Sequence, residues 1–140
     1  MAVESGLPSR YEIRVLSPQH SDWVSTILFH NTAFASLIRT KICTEDLMRR
    51  CYTTFQLSAH MVDQQLASGL SLGVFDKEHE FKRAESVPTG GKLYWDFNDE
   101  SEDERGLAEQ MDSPLVSVAM AFDRRVQTTF MSVAWLTSRR

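Results

Sequence analysis

The chain has 140 residues, 42% of them hydrophobic and 24% charged, with a formal net charge of −4. That length and balance fit one soluble globular domain, or a piece of a larger one, able to bury a core without staples. The acidic balance argues against nucleic acid as a partner, since its binders carry basic surfaces, and the longest apolar-leaning run, "LVSVAMAF", is too short to span a bilayer.

Residues 1–10 are small and polar and read as a flexible N-terminus. "YEIRVL" follows, alternating so that Tyr11, Ile13 and Val15 share one face, which predicts a half-buried strand. Ser17-Pro18 then offers a helix cap followed by proline at the first helical position, and the spacing predicts a helix from Pro18 to His30 with Trp23, Val24, Ile27 and Leu28 on one stripe. A short helix around Ala33–Ile38 is the expectation for the ambiguous stretch that follows. Thr44 is expected to cap the next helix, with Glu45 and Asp46 set against its positive end. Met48, Tyr52, Phe55, Ala59, Val62 and Leu66 recur at steps of three and four, the clearest helical period in the chain, and Gly69 stands where a C-cap belongs.

"LSLGVFD" (70–76) reads as a strand. Residues 77–91 mix charges of both signs with Pro88, Gly90 and Gly91 and read as an exposed connection. "KLYWDF" (92–97) is the next expected strand, antiparallel to the last. "NDESEDERG" (98–106), with five acids and one arginine, is too charged to bury. "LAEQMD" suggests one helical turn, and "SPLVSVAMAFD" (113–123), apolar on both faces, suggests the central strand of the sheet. Residues 124–140 are apolar in the middle, basic at both ends, and without a period. The fold class that results is α+β, a mostly antiparallel sheet with two helices in the order strand, helix, helix, strand, strand, strand.

Thr89-Gly90-Gly91-Lys92 invites comparison with a phosphate-binding loop. Such a loop needs a glycine five positions before its Gly-Lys pair and a Ser or Thr directly after; Ser86 and Leu93 stand there. It also opens a helix, whereas strand formers follow Lys92, so the paired glycines read as a turn. Cys43 and Cys51 fit no zinc spacing and no His or Cys cluster completes one, so no metal is expected and the pair reads as reduced thiols of a cytoplasmic protein. His20, His30, His60 and His79 lack a carboxylate and a nucleophile at any motif spacing. Asp76 and Asp96 each end an expected strand. In a hairpin they would face a shared cleft, which makes them the candidate catalytic residues, although strand-end carboxylates more often serve turns. The aromatic group Phe75, Tyr94, Trp95 and Phe97 reads as core.

Taken together, "YEIRVLSPQHSDWV", "SGLSLGVFDKEHEFKRAES", "TGGKLYWDF" and "EQMDSPLVSVAMAFD" resemble a group of fungal proteins assigned to the GNAT superfamily of acetyl-CoA-dependent N-acetyltransferases, over residues 11–123. The order of elements resembles the N-terminal half of that fold. The resemblance implies acetyl-CoA as cofactor, held by the main chain of the strand corresponding to Pro114–Phe122. Val118 and Met120, followed by Arg124 and Arg125, are then the candidate cofactor-binding residues. It also implies a glycine-bearing turn after that strand, because only residues without bulky side chains let amides approach a diphosphate. Here "DRRVQTTFMSV" follows, and the last glycine is Gly106.

Three expectations follow. The first is an acetyltransferase-like protein, shortened, with residues 124–140 as an atypical tail, and weakly active or inactive. The second is an accessory module that dimerises or docks on a protein partner through an open sheet edge. The third is a small biosynthetic enzyme of another class built on Asp76 or Asp96.

Overall fold

The computed structural model describes residues 6–35 and 45–121. The expected α+β class is what forms. In chain order, β1 (Tyr11–Val15) leads through a 3-10 turn (Pro18–His20) into α1 (Ser21–Phe34). Next come α2 (Leu47–Ala67) and β2 (Leu72–Asp76), and then a 3-10 segment (Ala84–Thr89) leading to β3 (Lys92–Leu93). The series ends with α3 (Glu104–Glu109), β4 (Met111–Asp112) and β5 (Leu115–Ala119).

The entry to α1 follows from two residues. Pro18 needs no donor in the first turn, and the Ser17 N–H donates to Nδ1 of His20 at 3.1 Å. This tightens Pro18–His20 into a 3-10 turn, so the α-helix starts three residues later than expected and continues past His30 to Phe34. Thr44 and the far end of the expected Ala33–Ile38 helix lie outside the described residues; at the start of α2 the N-cap position is held by Asp46 in a left-handed conformation. The periodic stripe of α2 behaves as read: Met48, Tyr52, Phe55, Val62 and Leu66 are buried, joined by Cys51, and Ala59 is half-buried. Gly69, at φ +73°, follows the helix end as anticipated.

That stripe serves two cores. Its N-terminal half packs with Ala33, Trp95 and Leu107, and its C-terminal half with Leu16, Val24, Phe75 and Leu115. In the first core Phe55 lies 5.0 Å from Phe97 and 5.6 Å from Trp95, ring centre to ring centre. Such pairs are each worth about 0.5–1.5 kcal/mol beyond their burial.

A three-stranded antiparallel sheet runs in the order β1-β2-β5, and β3 and β4 form a separate antiparallel pair. Two expectations are corrected here. Residues 92–97 do not pair with β2: the strand ends at Leu93 because Trp95 and Phe97 turn into the first core, where Trp95 Nε1 donates to the Leu107 carbonyl at 2.9 Å. The central strand is β2, not residues 113–123, for among the described residues β5 pairs with β2 alone. Only Leu115 of β5 is buried, so its apolar residues on both faces do not mark a covered strand.

The register sorts the sheet's faces. Val15, Leu72 and Ala119 lie side by side, as do Ile13, Val74 and Ser117, with a bulge between Val74 and Phe75. Arg14, Gly73 and Val118 line up on the opposite face, which also carries Phe75 and receives the helices. A side chain at Gly73 would meet Leu16 and Leu115 at 2.7 Å, so this face is closely packed. On the other face Ile13, Val15 and Leu72 are 50%, 56% and 42% exposed.

Candidate functional site

Asp76 ends β2, and its carboxylate takes both arms of the Arg10 guanidinium, Nε at 2.8 Å and Nη2 at 2.6 Å. It also accepts the Glu78 amide at 3.0 Å. The hydrogen bond from Arg10 is the main reason its carboxyl sits below the usual range; burial opposes the shift and the Glu78 amide adds to it. The same pair raises Arg10. Arg10 falls in the stretch read as flexible, yet the fork-to-fork ion pair fixes it. Around the pair lies an open cleft of about 550 Å³ lined by Arg10, Asp76, Glu78, His79 and Glu80.

Asp96 is nowhere near a shared hairpin cleft with Asp76, because the hairpin that would join them does not form. It is exposed and accepts the Asn98 amide at 3.0 Å, the role of a turn residue. Val118 and Met120 pack against the second core. Arg124 and Arg125 lie outside the described residues, as does Cys43.

Asp112 is the polar centre that sequence reasoning missed. It is 1% exposed. Its carboxylate accepts His79 Nε2 at 3.1 Å, the Ser86 hydroxyl at 2.6 Å, and the amides of Lys82 and Arg83 at 3.1 Å. Burial alone would push this carboxyl up, but the bonds from Ser86, the two amides and His79 outweigh it and hold the group below its usual range. The 77–91 connection is therefore not simply an exposed loop: Asp112 gathers it, and Ser86 is fully buried.

Ser, His and Asp in one cluster suggest a nucleophilic triad, which needs the imidazole between hydroxyl and carboxylate. Here both Ser86 and His79 bond the carboxylate. The Ser86 proton is directed at Asp112, so the Tyr94 hydroxyl, 2.8 Å away, donates to Ser86. A hydroxyl so placed has no imidazole to take its proton, only a carboxylate held below its usual range, and it is fully buried.

The glycine pair is equally committed. Gly90, at φ +71°, closes the 3-10 segment, with its amide on the Val87 carbonyl at 3.2 Å. The Gly91 amide bonds the Ser86 carbonyl at 2.9 Å, and a side chain on Gly91 would meet Trp23 at 2.7 Å. Neither amide is turned toward a phosphate.

The other histidines are structural or exposed. His20 stacks near Trp23 and Phe75 and caps the 3-10 turn. The His30 Nε2–H donates to the Glu104 carbonyl at 2.8 Å. His60 pairs with Gln64 on the exposed side of α2. Among the described residues no group of three or more His, Cys, Asp or Glu side chains is placed to hold a metal ion, and no helix is long and apolar enough to cross a membrane.

The site sums to two committed carboxylates and a sheet face that no other described residue covers; no family model, curated protein or solved structure matches the chain.

Proposed function

We propose that this chain is an acetyltransferase-like protein without effective acyl transfer, which serves as a binding module through the open side of its three-stranded sheet. One observation carries the reading: Ile13, Val15 and Leu72, neighbours on one face, are about half exposed while the opposite face is packed. Apolar patches left in water at a sheet surface are characteristic of contact sites. The chemistry supports it from the other side. A general base needs a carboxylate or imidazole poised near neutral pH, and Asp76 and Asp112 are both held in the opposite direction by their partners. This also weakens the alternative of an enzyme that uses Asp76 as a general base near neutral pH.

Acetyl-CoA binding has little to draw on. No glycine follows Gly106 to supply the amide turn that the resemblance implies. The resemblance would make Pro114–Phe122 the fourth strand of the sheet, yet β5 lies directly beside β2, where the third would stand. Titration calorimetry with acetyl-CoA tests the reading. Heat no greater than dilution is the expected result; saturable micromolar binding would return the chain to the active acetyltransferases.

A further inference from the structure

At one side the sheet ends at β1, whose outward main-chain groups follow from the ladder with β2. The bonds Leu16 N–H to Ser71 carbonyl (2.8 Å) and Lys77 N–H to Arg10 carbonyl (2.9 Å) set the phase of its ladder. Bonding alternates along an antiparallel pair, so Glu12 and Arg14 turn their main-chain groups toward β2. Ile13 and Val15 therefore turn theirs away from β2. The Tyr11 carbonyl also points outward, while its N–H is already used by Pro8 at 2.9 Å. Among the described residues β1 pairs with β2 alone, which leaves these outward groups as an open edge.

We propose that the occupant of this edge is a second copy of the chain, docked antiparallel about a two-fold axis through Ile13; this rests on the binding-module reading above and names the partner. The geometry selects that register. With Ile13 opposite Ile13 of the second copy, the two exchange a pair of main-chain bonds, and each Val15 N–H reaches the opposing Tyr11 carbonyl. Glu12 then stands opposite Arg14, and Arg14 opposite Glu12, in the positions where facing side chains come closest.

Charge decides between self-pairing and edge protection. A strand guarded by lysines repels its own copy; Glu12 and Arg14, of opposite sign and equidistant from Ile13, attract it. Within one chain the two already form an ion pair, with Arg14 also lying 4.5 Å over the Phe75 ring, so the dimer needs only an exchange of partners. The outcome is a continuous six-stranded sheet, three strands from each copy, with Ile13, Val15 and Leu72 of both copies on one face. An interface of this kind is isologous and closed, so it stops at two copies.

The test is the mass of the full chain in solution, by sedimentation or light scattering across the micromolar range. The expected result is a concentration-dependent rise from 16.0 kDa toward twice that value. Ile13→Lys should weaken the dimer about tenfold or more by placing like charges on the axis, and Ile13→Glu should do the same. Mixing the two variants should restore it, which shows that both fold. Likewise Glu12→Arg should weaken the dimer, and Glu12→Arg with Arg14→Glu should recover it. A monomer at every concentration, meaning that a different partner or another part of the chain holds the edge, would overturn the proposal, as would a dimer indifferent to Ile13→Lys. Neither result touches the binding-module reading, which fails separately if acetyl-CoA binds.

Discussion

Phe75 and Val15 belong to neighbouring strands of one sheet, yet Phe75 is 0% exposed and Val15 is 56% exposed. Both are large, apolar and at home in a strand. They differ in which way the pleat points them: Phe75 toward α1 and α2, Val15 away. Hydrophobicity alone therefore does not tell which face of this sheet is structural. The covered face holds the fold together, whereas Ile13, Val15 and Leu72 on the other face are about half exposed and contribute little to the core.

Truncating both residues separates the two faces by the largest margin. Phe75→Ala should cost about 3–5 kcal/mol in denaturant unfolding, as expected for an aromatic removed from a close-packed core. Val15→Ala should stay within about 0.5 kcal/mol, measured at protein concentrations low enough to keep the chain monomeric. Near-equal losses would mean that the open face is covered after all.

Asp112 comes next. Asp112→Ala leaves the Ser86 hydroxyl, His79 and two amides without an acceptor in a buried place, and a loss of about 3 kcal/mol is expected. Asp76→Ala, which frees an Arg10 side chain about half exposed to water, should cost less. The reverse order would place the anchor of the 77–91 connection at the cleft rather than at β4.

The smallest effect is a pH dependence at His20. Burial against Trp23 and Phe75, and then the charge of Arg14, lower its pKa from the ordinary 6.5. The protonated ring would also lose the bond that Nδ1 accepts from Ser17. The folded state therefore favours the neutral ring. Its contribution is complete above pH 6.5 and is lost progressively as the pH falls from there toward the lowered value, because the unfolded chain takes up the proton first. His20→Gln should flatten unfolding free energy across that window; an unchanged slope would place the titration elsewhere.

Much of the fold was legible because local patterns agreed with it. The stripe of α2 reflects one covered face, and Gly69 ends α2 where a glycine is wanted. β1 forms where its alternation placed it, but the apolar face expected to be buried is the exposed one, because α1 and α2 pack on the side of Glu12 and Arg14. The failures share a cause. Lys92–Phe97 has strand-forming residues, but its aromatic side chains are claimed by Tyr52 and Phe55, more than thirty positions earlier. Leu115–Ala119 looks central because it is apolar, and nothing within it says that β2 takes the middle place. Asp112 was invisible for the same reason: its partners His79 and Ser86 stand 33 and 26 residues away, and a buried acid has no local pattern. Arg10 and Asp76, 66 positions apart, meet only because β1 and β2 pair.

The proposed pairing through the edge of β1 is tested most directly by amide hydrogen exchange in that strand as protein concentration rises. Glu12 and Arg14 turn their amides toward β2, so their exchange should change little. The Ile13 and Val15 amides should exchange fast in dilute solution and slow markedly in concentrated solution. Exchange at those two positions that does not depend on concentration would contradict the account.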